Sequence, residues 1–237
     1  NSDAARLRDR AMWERYSKAP DAIGDTDLDI EWKITRDLIK VGGQIAIEKD
    51  DYRMDLLSAV DHMDGVQTLL PQIATFQDAT TPEKFAKLVR RLKAFPTFME
   101  GYLARVAEAE KRGLVASKIS TERLIAQLEG LMKMPAAQSP IVTAANVAGD
   151  AERAELTKVV AEYVDPQIKR YYEAVSGSYR GKAREVPGLC SAPNGAELYR
   201  VAIHGWTGLA LDPKELHEIG LQEWSEIQAE MKVISTK

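Results

Sequence analysis

The sequence is poor in the residue types that most often carry chemistry. One cysteine, Cys190, in 237 residues rules out a disulfide within the chain and a four-thiolate zinc site. The three histidines, His62, His204 and His217, are scattered along the chain. No apolar run approaches the roughly 18 residues that a membrane-spanning helix needs, so no span is expected. Basic residues are not in excess: 32 Lys and Arg against 36 Asp and Glu leave a net charge of -4. That balance argues against nucleic acid as a partner, because phosphates require a basic face. Phosphate loops, dinucleotide fingerprints, internal repeats and low-complexity tracts are missing as well. So are an initiating methionine and a basic-then-apolar leader. The chain opens Asn1-Ser2-Asp3, and the expectation is that it has been trimmed, by a signal peptidase or otherwise.

What is abundant is helical pattern. At 45% hydrophobic, the chain can bury one sizeable core or two small ones. Phe85, Leu88, Val89, Leu92 and Phe95 form one stripe at helical spacing, and Leu124, Ile125, Leu128, Leu131 and Met132 form another. The longest stripe runs from Leu156 through Val160, Tyr163, Ile168, Tyr171 and Tyr172 to Tyr179, where tyrosines at this spacing read as core. Pro166 falls inside it and predicts a kink or short break. Thr80-Thr81-Pro82-Glu83 reads as a capping box with Thr80 as the cap, and Asp212-Pro213-Lys214-Glu215 as an acid cap followed by proline. Ser120 and Asp150 are weaker cap candidates, and Gly113 suits a left-handed helix end.

The predicted helices are 3–18, 31–48, 65–75, 82–95, 97–112, 121–133, 151–180, 194–206 and 213–234. The expected fold is all-α, an irregular multi-helix bundle with a kinked long helix near residues 151–180. Breakers concentrate at 19–29, 134–150 and 181–195, and 181–195 is the expected subdomain boundary. Residues 41–47 (VGGQIAI) are the one stretch that could be extended, weakened by two glycines.

Several residues invite a catalytic reading, each with a plainer one beside it. His217-Glu218 begins like the helical zinc motif H-E-x-x-H, but Leu221 stands where the second ligand belongs, so no zinc site is expected there. His62 sits between Asp61 and Asp64, a spacing that suits a turn better than a metal. Cys190 has no local nucleophile signature and reads as a small, buried, inert thiol. Glu108, Glu110, Lys111 and Arg112 read as a solvated helix face with helix-pair charges. His204, near a predicted helix end, suits either the last carbonyls or the lining of a cleft.

Taken in order, several segments resemble a known family. They are His62-Met63-Asp64-Gly65-Val66-Gln67 running into Leu70-Pro71, Thr81-Pro82-Glu83-Lys84-Phe85 running to Phe95-Pro96, and Arg112-Gly113-Leu114 before Ser120-Thr121-Glu122-Arg123-Leu124. The most specific run is Val186-Pro187-Gly188-Leu189, Pro193-Asn194-Gly195-Ala196-Glu197-Leu198-Tyr199, His204, and Leu211-Asp212-Pro213-Lys214-Glu215-Leu216-His217-Glu218-Ile219-Gly220-Leu221. This order is similar to the bacterial domain-of-unknown-function family 885 over most of residues 60–235. The resemblance implies a larger, mostly helical protein like the gluzincin-type zinc metallopeptidases, with its H-E-x-x-H helix downstream of residues 211–215. It implies that residues 1–237 are the helical N-terminal region, cut before that helix. No cofactor is then expected in this chain, and zinc belongs to the missing C-terminal half. That catalytic half would be its partner, a peptide-like molecule the substrate, and export to the periplasm or cell envelope is favoured over the cytoplasm. By resemblance, Tyr199 and His204 are the substrate-cleft candidates. Leu198 departs from the family's tyrosine, and Gly205-Trp206-Thr207-Gly208 from its hydroxyl-rich run.

Three functions follow from these readings. The first is a non-catalytic half of a peptidase-like protein that shapes its cleft. The alternative is a stand-alone helical binding or scaffold module without enzymatic activity. The third, a cysteine or metal enzyme built on Cys190 or the His62 cluster, has the least support.

Overall fold

A computed structural model describes residues 3–236, apart from the side chain of Asp27. It is all-α, and among the described residues there is no strand, only two isolated parallel bridges, Ala79 with Val147 and Ser117 with Arg184. The chain divides into two compact units. Unit 1 comprises residues through Arg6 and Arg53–Pro193, and unit 2 comprises Leu7–Tyr52 and Asn194–Lys237.

Unit 1 contains α3 (Val66–Phe76), α4 (Pro82–Lys93), α5 (Phe95–Arg112), α6 (Lys118–Lys133), α7 (Pro140–Ala144), α8 (Asp150–Val159), α9 (Asp165–Ala174) and α10 (Arg180–Lys182). α3 packs on α7, α4 on α8, and both α5 and α6 on α9. Leu56, Leu88, Met99, Leu124, Leu128, Leu156, Tyr171 and Tyr179 are completely buried, which is the core the helical stripes require. The buried hydroxyls have partners. Tyr171 donates to the Ala59 carbonyl at 3.2 Å, and Tyr179 accepts the Ala116 backbone N–H at 2.8 Å. The Tyr102 ring meets Tyr171 edge-on, with centroids 5.3 Å apart.

The long helix predicted at 151–180 is α8 and α9 joined by a π-helical turn at Val160–Val164. Proline 166 explains the turn. It has no N–H to give to Glu162, and its ring would strike that carbonyl in a regular helix. One wider turn places Pro166 in the first turn of α9, where neither fault matters. A sharper break follows at Gly177, whose ψ of -127 lies outside the helical range. Loop 183–193 is pinned by Arg184. Its guanidinium donates to Val115 O at 2.8 Å, Gly188 O at 2.6 Å and Ser191 Oγ at 2.7 Å.

Unit 2 contains α1 (Asp3–Lys18, from Leu7 on), α2 (Ile30–Asp51), α11 (Gly195–Thr207) and α12 (Pro213–Ser235). Residues 41–47, the stretch that could have been extended, lie within α2. Gly43 permits close helix contact there: a Cβ on it would lie 2.8 Å from Ser17 Cβ of α1. Arg10 then bridges α1 to the end of α2 through Asp50 at 2.8 Å and Asp51 at 2.6 Å. α11 packs on α2 and touches α12.

The helix starts differ from expectation by a residue or a few. Thr81, not Thr80, caps α4, accepting from Lys84 N at 3.4 Å. Asp78 has taken the Thr80 hydroxyl, 2.6 Å away. Glu83 is thereby too early to close the box, and it pairs with Lys87 at 2.7 Å. Ser117 caps α6 in place of Ser120, and Gly149 precedes α8 in place of Asp150. Asp212 caps α12 as expected, accepting from Lys214 N at 2.9 Å, and Gly113 ends α5 at φ 72.

Candidate functional site

In unit 2 the two residues marked for a substrate cleft lie on α11. Tyr199 is exposed, and His204 is half-buried. Five residues along a helix correspond to about 140° of rotation, so the two side chains leave α11 on different faces. The structure pairs His204 instead with Glu48 of α2, Nδ1 lying 2.7 Å from Oε2. A carboxylate only accepts, so Nδ1 carries the proton, and Nε2 is left as the ring's other functional atom. The imidazole is thus turned by Glu48 and not by the helix-end carbonyls. Next to it, Gly205 leaves room for Lys49: a Cβ there would sit 2.5 Å from Lys49 Cε.

In unit 1 the helices line an open pocket of about 370 Å³, inside the size range of small-molecule sites. Its apolar wall includes Leu70 and Pro71 of α3, Met132 and Met134 at the end of α6, Ile141 of α7 and Val164 of the π-turn. Gln67, Ser139, Asp165 and Lys169 are its polar members. Asp165 begins α9 directly after the π-turn, so Pro166 sets where its carboxylate goes. Asp165 is exposed, and the partial shielding by the pocket wall raises its carboxyl above the ordinary range. Lys169, one turn later, leans to Glu173 at 3.9 Å. No signal in the sequence marked this cavity, because its walls come from four helices distant in sequence.

The other candidates are dispersed. His62 Nε2 lies 3.4 Å from Arg123 Nη1, and His217 is exposed on α12. Cys190 corrects an expectation: it is exposed, not buried, because the Arg184 clamp holds its short loop on the surface. Glu108 is a second correction. Its helix pair with Arg112 is as expected, but it is no mere solvated face, since it also accepts from the buried Arg53 at 2.6 Å. Glu110 pairs with Lys182 at 3.0 Å. Among the described residues no group of three or more His, Cys, Asp or Glu is arranged to hold a metal. Nor is any described helix long and apolar enough to cross a membrane.

The family described as "Bacterial protein of unknown function (DUF885)" matches residues 1–237. The chain belongs to DUF885. Among solved structures, this DUF885 chain is similar to "the putative lipoprotein from Colwellia psychrerythraea" at a TM-score of 0.84 and 19% identity. At that identity the likeness is one of fold. The match covers 98% of this chain and 43% of the Colwellia chain, so the present sequence spans less than half of its structural neighbour. No curated protein matches it.

Proposed function

We propose that these residues form the helical, non-catalytic region of a zinc-dependent, peptidase-like protein. In this reading the region shapes the substrate cleft, and hydrolysis belongs to a zinc-bearing segment outside residues 1–237. The observation that carries the proposal is α12. Leu221, Trp224, Ile227, Met231 and Ile234 recur on one helical stripe, yet no described residue of this roughly 35 Å helix is buried. Trp32 and Trp206 of the same unit are exposed too, Trp206 by 91%. A module complete in itself rarely leaves that much aromatic and aliphatic surface in water. Tryptophan is the residue most enriched where proteins dock. The Colwellia protein's greater length supports a further segment as the occupant.

The resemblance to gluzincin-type peptidases supplies the chemistry, and a peptide-like molecule is the corresponding substrate. His204, oriented by Glu48, is the residue best placed to contact substrate polar groups, and Tyr199 would act from another face of α11. The description of the Colwellia protein as a lipoprotein favours export to the cell envelope.

The deciding experiment starts from the open reading frame beyond Lys237. The protein encoded there is purified, its zinc is measured by mass spectrometry, and it is assayed on a peptide library. The expected result is a downstream H-E-x-x-H, one tightly held zinc and slow or fast peptide cleavage, with the 1–237 chain alone showing neither. A stop codon near residue 237, or a longer protein with neither zinc nor hydrolysis, overturns the proposal and leaves a helical scaffold module.

A further inference from the structure

We propose that α12 docks a helix of the segment outside residues 1–237, and that this helix carries lysine or arginine along the edge that meets Glu223 and Glu230. The inference rests on the proposal above and names the form and the charge of the occupant.

The form follows from the spacing of the exposed apolar residues. Trp224, Ile227, Met231 and Ile234 succeed one another at intervals of three, four and three, and each is more than half exposed. On a helix that alternation draws one narrow line along the axis. It is the spacing by which two helices interlock, each residue of the line entering a gap between side chains of the other helix. A relative of this fold has ample further chain to supply such a helix, since the match covers 43% of the Colwellia protein.

The charge follows from the edges of the line. Glu223 and Glu230 each stand one residue before a member of it, so both border the same side. Glu226, farther round α12, accepts from Gln222 at 3.0 Å, whereas Glu223 and Glu230 have no hydrogen-bond or ion-pair partner among the described residues. The other edge holds Leu221, Gln228 and Ser235, which carry no charge. Charges that flank an apolar line select the partner. A second copy laid antiparallel would set glutamate against glutamate. Laid parallel, it would set glutamate against Gln228 and Ser235 and gain no ion pair. An anionic membrane surface is opposed by the same carboxylates, because helices that lie on membranes border their apolar face with cations. A helix with Lys or Arg opposite Glu223 and Glu230 completes both pairs while the apolar line leaves water.

The test compares the 1–237 chain with the protein encoded by the longer open reading frame, reading amide hydrogen exchange across α12. Residues 221–234 are expected to exchange at least about tenfold more slowly in the longer protein, together with one helical stretch beyond residue 237. Glu223→Lys combined with Glu230→Lys should abolish that protection, and about 1 M salt should restore part of it by screening the repulsion. The same double variant of the 1–237 chain should keep its exchange and melting curve, which separates lost docking from lost folding. Reversing a protected lysine or arginine beyond residue 237 to glutamate should rescue the double variant. Equal exchange of α12 in both proteins, protection that survives the charge reversal, or the absence of chain beyond residue 237 would overturn the inference. So would dimerisation of the 1–237 chain through α12, or its binding through α12 to phosphatidylglycerol vesicles. A longer protein that holds zinc and cleaves peptides while α12 stays unprotected sinks this inference alone. Protection that depends on the two glutamates, without zinc or hydrolysis, supports it and sinks the enzymatic proposal alone.

Discussion

The two units differ in how much apolar surface they bury. Unit 1 owns nearly all of the buried apolar side chains, from Leu56 to Ala192. In unit 2 the described aliphatic residues that are buried are Leu198, Val201 and Ile203, all on α11, and Pro20 is buried as well. Ion pairs occur in both units, and in unit 2 they are not backed by a comparable core. Arg10 joins Glu14, Asp50 and Asp51, Arg36 joins Asp25 and Asp37, and Lys40 reaches Asp21. Exposed ion pairs contribute little each, at most about 1 kcal/mol, whereas a buried leucine contributes about 1.5–3 kcal/mol. Unit 1 is therefore a self-sufficient core. Unit 2 keeps a large apolar surface facing water, including Trp32, Trp206 and Trp224.

The largest effect that sharpens this contrast is in the core of unit 1. Leu128→Ala removes a completely buried side chain from α6 and should lower the unfolding free energy by about 2–5 kcal/mol, measured by denaturant titration. A loss under about 1 kcal/mol would mean that unit 1 is as loosely packed as unit 2. Tyr179→Phe should cost about 1–3 kcal/mol at neutral pH, because the buried Ala116 N–H loses its acceptor. Its pH dependence checks the cause. Burial pushes the Tyr179 phenol up to about 12, against about 10 for a free tyrosine. The folded state thus favours the protonated form. That stability is fully present below pH about 10 and disappears as pH rises through about 12. In the phenylalanine variant this part of the alkaline decline should be missing.

Unit 2 should respond instead to the closeness of its helices. Gly43→Ala gains about 1 kcal/mol of helix propensity but drives a methyl to within 2.8 Å of Ser17 Cβ, with Ser17 backbone atoms just beyond. Overpacking of that kind costs about 1–3 kcal/mol, so a net loss near 1 kcal/mol is expected, seen as faster amide exchange in α1 and α2. An unchanged or slower exchange would show that α1 is free to move away from α2.

These predictions draw on features that were unequally readable in the sequence. Helices were readable because stripes such as Phe85–Leu88–Val89–Leu92 repeat at 3.6 residues and because Pro82, Pro213 and Gly113 mark ends by backbone chemistry alone. The capping residue was not, since Thr80 and Thr81 are equally able to cap and Asp78 decides between them by hydrogen-bonding the first. The five-residue α7 lay hidden in a stretch of breakers. The division at Tyr52 and Arg53 also left no mark: Arg53 adopts φ 50, a conformation that glycine usually announces, and its ion pairs with Asp55 and Glu108 hold it there. The candidate sites depended on distance in sequence. His204 could be singled out, but Glu48, 156 residues earlier, could not be joined to it. The unit 1 cavity, spanning Gln67 to Lys169, is a product of helix packing that no local pattern encodes.

The smallest expected effect is the one that tests the contrast most directly. Trp224 is 63% exposed near the middle of α12, and in the 1–237 chain it has little packing to lose. Trp224→Ser should therefore change the melting free energy of this chain by no more than about 0.5 kcal/mol, the usual range for a surface substitution. Solubility should rise, because a large apolar group leaves the surface. In the longer protein the same substitution should cost about 2 kcal/mol or more if α12 is where the remaining segment packs, since a tryptophan at the centre of an interface dominates its energy. The difference between the two measurements isolates the docking contribution from the fold of unit 2. Equal effects in both proteins would leave α12 an ordinary exposed helix and remove the asymmetry between the units.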